Sequence, residues 1–339
     1  MKSLNTDPMT LTRFLVKQQQ QYKEASGDFT ILLTSIQTAC KFISSKVRKA
    51  GIANLYGIHG TENTSGDTVK KLDVLSNEVF INTLRESHQV AIMASEEDEE
   101  AVQVDLDKQG KYVVSFDPLD GSSNIDANVS IGSIWGIWKR KSEHKDGATV
   151  ADLLQNGDAQ VAAGYCLYGS STQIVLAFED GVNGFTLDPS LGEFILTHPN
   201  IRIPKKGAIY SINEGNAQYW EEPITKYVHN KKFPEEGKKP YSLRYVGSMV
   251  ADVHRTLLYG GIFLYPGDKK SPNGKLRVLY EVYPMGYIVE KAGGKASNGN
   301  KRLLDIEPKK IHERSGVIMG SPEDVDEVEK LHHDIKKNQ

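Results

Sequence analysis

Residues 112–124 read Tyr-Val-Val-Ser-Phe-Asp-Pro-Leu-Asp-Gly-Ser-Ser-Asn, an apolar run followed at once by two aspartates and a turn. The apolar part, 112–116, has the length and the branched and aromatic residues of a buried strand. Asp117 and Asp120 stand where that strand ends, and the following Gly-Ser-Ser suits a close turn with backbone N–H groups open to an anion. The stretch therefore predicts a strand whose end carries carboxylates beside a place for a phosphate.

A second predicted strand, 90–94, ends in the same way, in Ser95 followed by Glu96-Glu97-Asp98-Glu99-Glu100. An acidic run alone is most often a solvated turn, and Asp-Pro-Leu-Asp-Gly alone suits a β-turn. The pairing of both at strand ends favours a shared site for a hard cation such as Mg²⁺ or Mn²⁺. These ions prefer carboxylate and carbonyl oxygen and commonly share their site with a substrate phosphate.

Composition excludes several other classes of protein. The chain has 339 residues, a net charge of −3 and 25% charged residues, so no general basic field draws it to nucleic acid or to an anionic membrane. Its two cysteines do not provide a disulfide framework. The N-terminus lacks a signal-peptide core, and no apolar stretch has the length of a membrane span. These features predict a cytoplasmic protein.

Periodicity predicts layered α and β structure of mixed sheets and helices, and so an α/β fold. The predicted helices are 10–24, 28–50, 68–87, 216–228, 248–259, 279–292 and 322–336. The predicted strands, besides the two above, are 131–138, 161–167, 172–179, 192–196, 208–212, 261–265 and 316–319, with a turn at Asn183-Gly184. A Pro- and Lys-rich stretch at 198–206 suggests a boundary between two halves, 1–200 and 201–339.

The second half supplies basic groups that the first half lacks near its carboxylates. Arg244 and Tyr245 precede a predicted helix, and Lys275 and Arg277 follow an Asn-Gly turn. Such cations could hold a second phosphate, although each of them alone is more commonly a surface charge. Glu281 follows on the next helix, where a lone glutamate is usually solvated.

These motifs together resemble those of the fructose-1,6-bisphosphatases of the eukaryotic and enterobacterial type, over nearly the whole chain. The Asp-Pro-Leu-Asp-Gly core is shared with inositol monophosphatases, but Glu281 within Leu-Tyr-Glu matches the fructose bisphosphatases. Further matching segments are Gly66-Asp67, Lys70 to Asn77, Gly184 to Asp188, Gly192-Glu193-Phe194, Ser211 to Gly215, Arg244 to Arg255 and Gly274 to Arg277.

The resemblance implies the sugar phosphatase fold, an αβαβα sandwich. It also implies hydrolysis of fructose 1,6-bisphosphate with two or three Mg²⁺ ions per subunit, or Mn²⁺ or Zn²⁺ in their place. The implied metal ligands are Asp67, Glu96, Glu97, Asp117, the Leu119 carbonyl, Asp120 and Glu281, and the catalytic groups that handle the attacking water are Asp67, Asp73 and Glu97. The implied substrate-binding residues are Asp120, Gly121, Ser122, Ser123, Asn213, Arg244 from a neighbouring subunit, Tyr245, Ser248, Met249, Tyr265 and Lys275. A loop at 51–71 would close over the metals.

A regulatory AMP site and a homotetramer are also implied. The candidate AMP-binding residues are Gly27, Asp28, Phe29, Thr30, Lys111, Tyr112 and Lys139. The chain departs from the animal enzymes at Lys139, where they carry an arginine whose bidentate contact a lysine cannot copy. It departs again at Asn216, where they carry a tyrosine. The alternatives are a sedoheptulose 1,7-bisphosphatase, an inositol phosphatase and a non-catalytic AMP-sensing scaffold.

Overall fold

The computed structural model describes residues 6–21, 23–50, 52, 58–62 and 68–337, with the backbone alone for 58–62 and 68–70. The helices are α1 Leu11–Gln19, α2 Asp28–Val47, α3 Lys71–Arg85, α4 Val150–Leu153, α5 Glu222–Lys232, α6 Met249–Tyr259, α7 Tyr283–Lys291 and α8 Pro322–Lys337. The strands of the first half are β1 Ile58–Glu62, β2 Thr68–Lys70, β3 Val90–Ser95, β4 Val102–Gln103, β5 Tyr112–Asp120, β6 Ile131–Lys139, β7 Gln160–Tyr168, β8 Thr172–Phe178, β9 Gly181–Asp188 and β10 Glu193–His198. Those of the second half are β11 Ile209–Ser211, β12 Ser242–Leu243, β13 Ile262–Tyr265, β14 Leu276–Arg277, β15 Lys295–Ser297, β16 Arg314–Ser315 and β17 Val317–Gly320.

An eight-stranded sheet with the order β10-β9-β8-β7-β6-β5-β3-β4 forms the centre of the first half. Its neighbouring strands are antiparallel, except that β3 and β5 run parallel. In β6 the side chains alternate, so that Trp135 and Ile137 enter the core on one face and Ile134 and Trp138 enter the core on the other. Both faces of this sheet are therefore buried and need covering layers.

The covering layers are helical on both sides. Helices α1, α2 and α3 bury one face of the large sheet, and α6 and α7 bury the other. Beyond α6 and α7 lies a second sheet of five strands, in the order β12-β11-β13-β17-β15, whose far face is covered by α5 and α8. The predicted αβαβα sandwich is confirmed. Among the described residues, no helix combines the length and the apolar character needed to span a bilayer.

Two local predictions are wrong. Asn183 and Gly184 do not form a turn but lie inside β9, which the sequence analysis missed. A side chain at Gly184 would approach His198 on the neighbouring strand, where the pairing of β9 and β10 shifts register, so the glycine serves a close strand contact. The single helix predicted at 216–228 is instead a 3₁₀ helix at Glu214–Tyr219 followed by α5. Pro223 in the first turn of α5 suits a new helix start.

Candidate active site

The two acidic strand ends meet because β3 and β5 are parallel neighbours. Ser95 at the end of β3 pairs with Phe116 of β5, and the Glu96 amide donates a hydrogen bond to the Phe116 carbonyl at 3.2 Å. Parallel strands end at the same edge of a sheet, so Glu96 begins its loop where Asp117 begins the acidic end of β5. The sequence prediction that these two acidic segments share one site is consistent with this geometry.

A β-bulge turns Asp117 and Asp120 toward the same place. Asp117 pairs with Ile134 and Asp120 with Gly132, so three steps on β5 oppose two steps on β6. In a regular strand, side chains three residues apart point to opposite faces, and the extra residue of a bulge resets this alternation. Pro118 lies within the bulge and its carbonyl accepts a hydrogen bond from Ser133 Oγ at 2.7 Å. Both carboxylates therefore enter one cluster.

Glu281 completes the cluster from the second half of the chain. It lies in a π-helical turn, Val278–Val282, that leads directly into α7. One carboxylate oxygen from each of Asp117, Asp120 and Glu281 lies within 4.8 Å of the others, and all three residues are buried. Three oxygen ligands at this spacing fit a hard divalent cation such as Mg²⁺ or Mn²⁺. The residues present therefore suit the metal that the sequence analysis expected.

The charges of this cluster are costly without a cation. Burial and then the neighbouring carboxylates raise the pKa of Asp117 well above its usual range. Burial is also the first cause that raises the pKa of Asp120 to about 6 and that of Glu281 to about 8. A buried carboxylate that is hard to ionise gains most from a positive partner, and a divalent cation supplies one.

Arg277 already provides one positive charge to the cluster. Its guanidinium lies 3.3 Å from Glu96 and 3.8 Å from Glu281, and its backbone N–H donates to Glu281 Oε2 at 2.7 Å. The expectation that Arg277 holds a second phosphate is therefore wrong, because the side chain is buried against carboxylates. The i, i+4 spacing of Arg277 and Glu281 was the available sequence signal for this ion pair.

Glu97 and Asp73, expected to handle the attacking water, lie close enough to interact. Burial raises the pKa of Glu97 to about 8, and the Asp73 carboxylate is the next largest cause. Asp73 lies in the first turn of α3 and is buried. Asp67, the remaining expected catalytic group and metal ligand, lies outside the described residues, as does much of the predicted closing loop at 51–71.

The turn after Asp120 is tied to the start of α6. Gly121 has φ of 76°, and a Cβ there would lie 2.8 Å from the Ser248 side chain, so this close approach requires glycine. Asp120 Oδ2 accepts hydrogen bonds from Ser248 Oγ at 3.2 Å and from the Val250 amide at 3.0 Å. Ser122 then opens a short 3₁₀ helix that includes Ser123, and Met249 is buried in the first turn of α6. Five of the expected substrate-binding residues thus adjoin the acidic cluster, namely Gly121, Ser122, Ser123, Ser248 and Met249.

A separate polar pocket gathers three of the expected substrate-binding residues, Asn213, Tyr265 and Lys275. Its lining consists of Ile212, Asn213, Asn216, Trp220, Leu264, Tyr265, Pro266, Asp268, Ser271 and Lys275. Burial and then the charges of Tyr265, Asp252 and Asp120 raise the pKa of Tyr245 to about 12. Tyr245 is therefore close enough to interact with a residue of this pocket and with a member of the acidic cluster. Arg244 is exposed, is not part of this lining, and donates from Nη1 to the Leu243 carbonyl at 2.8 Å.

Asp252 is a supporting residue that sequence reasoning missed. Its buried carboxylate accepts hydrogen bonds from the amides of Val246 and Gly247 at 3.0 Å, and from Arg255 Nη2 at 2.7 Å. Ser211 Oγ donates to the same carboxylate at 3.0 Å. These bonds fix the segment that carries Arg244 and Tyr245. An aspartate three residues ahead of an arginine on a helix was the only sequence signal for part of this arrangement.

The expected AMP-binding residues also come together, at the start of α2. Gly27, with φ of 91°, precedes Asp28, whose carboxylate pairs with the Lys111 ammonium. The rings of Phe29 and Tyr112 lie 5.5 Å apart. Thr30 Oγ1 donates to Gln19 Oε1 at 2.8 Å, and the exposed Lys139 is paired with Tyr112 across β5 and β6. The expected AMP-binding residues thus lie close together in the structure. That they bind AMP stays a prediction.

The layered scaffold and the buried acidic cluster are those of a metal-dependent phosphatase, and comparisons with known proteins identify the family. Residues 9–199 match the model of the fructose-1,6-bisphosphatase N-terminal domain, and residues 203–333 match that of the C-terminal domain. The chain belongs to the fructose-1,6-bisphosphatase family, whose members are phosphoric monoester hydrolases.

Individual relatives cover almost the whole chain. Cytosolic fructose-1,6-bisphosphatases of Brassica napus and Arabidopsis thaliana are each 61% identical over 332 residues, 98% of this chain and 97% of the relative. The crystal structure of Leishmania major fructose-1,6-bisphosphatase in holo form superimposes with a TM-score of 0.91 at 46% identity, covering 96% of this chain and 99% of that one. Both plant relatives are cytosolic enzymes by name, which agrees with the expected location.

Proposed function

We propose that this chain hydrolyses fructose 1,6-bisphosphate to fructose 6-phosphate and phosphate in the cytosol, with divalent cations held at Asp117, Asp120 and Glu281. One observation carries the proposal. The buried acidic cluster and the polar pocket of Asn213, Tyr265 and Lys275 are separate, and Tyr245 interacts with members of both. A substrate with a phosphate at each end fits two such sites, and a monophosphate would leave one of them without its ligand.

The metal-binding residues supply only oxygen ligands, which favours Mg²⁺ or Mn²⁺ over Zn²⁺. Glu96, Glu97, Asp67 and the Leu119 carbonyl are the proposed further ligands for two or three ions. Bound cations would neutralise phosphoryl charge and lower the pKa of a bound water. Asp73 and Glu97 are the proposed pair that orients that water and accepts its proton. Burial and then the Asp73 charge raise the pKa of Glu97 to about 8, a value that suits a general base.

Substrate recognition is divided between two parts of the chain. The turn at Gly121, Ser122 and Ser123 presents backbone N–H groups beside the acidic cluster, a geometry that suits the phosphate that is cleaved. Lys275 supplies positive charge in the second pocket, and Asn213 and Tyr265 supply hydrogen bonds to the phosphate that is kept. We propose that the exposed Arg244 serves the pocket of a neighbouring subunit in a homotetramer, since it is not part of the lining in its own chain.

AMP is the proposed inhibitor, and the cluster at the start of α2 is its proposed site. The first amides of a helix attract a phosphate, and Lys111 and Lys139 add positive charge nearby. The rings of Phe29 and Tyr112, tilted by 45° at a centroid distance of 5.5 Å, add an apolar surface.

The test is a measurement of phosphate release with and without Mg²⁺, on three substrates side by side. We expect metal-dependent release from fructose 1,6-bisphosphate that exceeds release from sedoheptulose 1,7-bisphosphate and from inositol 1-phosphate. A preference for either of the other two would assign the site to that substrate. Absence of metal-dependent release from every substrate would favour a non-catalytic scaffold.

A further inference from the structure

Two contacts from the second half of the chain hold the acidic loop, defined as residues 96–100. One is the ion pair of Arg277 with Glu96 at 3.3 Å. The other is made by His312, whose Nε2 lies 3.0 Å from the backbone carbonyl of Glu99. The first half also contributes hydrogen bonds, since Asn77 donates to Asp98 and accepts from Ser95 Oγ, just ahead of the loop. His312 therefore joins this loop to a part of the fold far away in sequence.

The opposite side of the His312 ring faces Tyr280. Tyr280 Oη lies 2.7 Å from His312 Nδ1, and the two rings are 5.9 Å apart in an edge-on arrangement. Tyr280 is fully buried and directly precedes Glu281, the ligand that the π-helical turn brings to the acidic cluster. The Val278 amide also donates to the Glu313 carbonyl at 2.7 Å, so this turn and the His312 segment form one unit.

The partners of the two ring nitrogens decide which form of the imidazole is present. A backbone carbonyl only accepts hydrogen bonds, so Nε2 must carry the proton that is donated to Glu99. In the neutral ring Nδ1 is then an acceptor, and the Tyr280 hydroxyl donates to it. The phenol thus fixes the tautomer that the Glu99 contact needs. The Glu99 carbonyl, the His312 imidazole and the Tyr280 hydroxyl are all hydrogen-bonded only when the acidic loop and the π-helical turn lie at their observed separation.

We propose that His312, oriented by Tyr280, is a positioning residue that holds the acidic loop in register with Glu281 for metal binding. It touches neither metal nor substrate, and its effect passes through the placement of Glu96 and Glu97 relative to Glu281. The proposal rests on the proposed metal-dependent function. Partners one shell outside a metal site commonly change metal affinity by about 10- to 100-fold when removed.

The fold provides a matched control. Tyr165 and His254 form the same kind of pair, with Oη to Nδ1 at 2.8 Å and edge-on rings 5.8 Å apart, and Tyr165 is also fully buried. Removal of the Tyr165 hydroxyl deletes a similar buried hydrogen bond that does not involve the acidic loop. Tyr280→Phe and Tyr165→Phe therefore separate positioning from general loss of stability.

The test measures Mn²⁺ binding by the electron paramagnetic resonance signal of free Mn²⁺, without substrate, and hydrogen exchange of residues 96–103 in the metal-free protein. We expect His312→Ala to weaken Mn²⁺ binding by about 10-fold and to speed exchange in the loop. His312→Gln keeps an amide donor near the Glu99 carbonyl and should recover part of both losses. Tyr280→Phe should weaken Mn²⁺ binding by a smaller factor, and Tyr165→Phe should leave both readouts at the wild-type level.

Several outcomes overturn the proposal. Wild-type Mn²⁺ affinity and loop exchange in His312→Ala would do so, as would equal losses in Tyr280→Phe and Tyr165→Phe. If His312→Ala does not fold, His312→Gln and Tyr280→Phe still decide the question. If the wild-type chain itself binds no Mn²⁺, the proposed function fails instead, and the exchange of the metal-free loop still shows whether His312 holds it.

Discussion

Neutralising Glu281 should stabilise the metal-free protein and abolish its response to metal. The pKa of this buried carboxyl is raised from 4.5 to about 8. Each pKa unit corresponds to about 1.4 kcal/mol, so the fully ionised group costs up to about 5 kcal/mol relative to its protonated form. Small movements of the neighbouring side chains, Arg277 among them, lower this cost in the folded protein. We therefore expect Glu281→Gln to raise the free energy of unfolding in EDTA by about 2–4 kcal/mol at pH 8.

The stability difference between Glu281→Gln and the wild type should depend on pH. Between pH 4.5 and about 8 the folded protein retains a proton on Glu281 that the unfolded chain has lost. The stability of the wild type therefore falls as pH rises through this window, whereas a glutamine does not titrate. The advantage of Glu281→Gln should be near zero at pH 4.5 and largest at pH 8.

The assay is thermal unfolding at pH 5 and pH 8, in EDTA and in Mg²⁺. We expect Mg²⁺ to raise the melting temperature of the wild type but not that of Glu281→Gln. Asp152→Asn is the control, because backbone amides lower the pKa of this buried carboxyl despite its burial. That variant should lose stability at pH 8 and keep the Mg²⁺ response. A Glu281→Gln protein that is less stable than wild type in EDTA at pH 8 would refute the reasoning.

Three further predictions concern activity. Asp117→Ala should lose nearly all phosphate release while circular dichroism shows an intact fold, and wild-type turnover would contradict its role as a ligand. Lys275→Ala should raise KM for fructose 1,6-bisphosphate by about 10-fold or more, because one charge-assisted phosphate contact contributes about 1.5–3 kcal/mol; an unchanged KM would remove it from the second phosphate site. Lys139→Arg should lower the AMP concentration for half inhibition if the ligand is AMP, since arginine can bind phosphate bidentately; AMP titration of both proteins checks this, and equal or weaker inhibition would argue against that contact.

The acidic strand ends were visible in the sequence because each follows a short, mainly apolar run. That β3 and β5 are parallel neighbours was not visible, since pairing between distant segments leaves no periodic signal in either one. The bulge between Asp117 and Asp120 was likewise hidden, although Pro118 inside the strand was a sign of irregular pairing. Glu281 entered the site only through the family resemblance, because a lone glutamate on a helix carries no local signal.

The errors share a physical cause. Asn183-Gly184 has the composition of a turn, but Gly184 lies at a strand contact where a larger residue would crowd His198. Arg277 has the composition of a phosphate-binding group, but burial places it among carboxylates that need a positive partner. In both cases the residue type was interpreted from its neighbours in sequence, whereas its role is set by a neighbour in space.

Asp120 links metal binding to substrate recognition. It belongs to the acidic cluster, and its Oδ2 also accepts hydrogen bonds from Ser248 and from the Val250 amide at the start of α6. A hydrogen bond to a charged carboxylate is stronger than one to a neutral acid. Its pKa of about 6 means that protonation of Asp120 in mild acid weakens the anchor of α6 as well as the metal site. A cation that keeps Asp120 ionised therefore also holds in place the helix start that carries Ser248 and Met249.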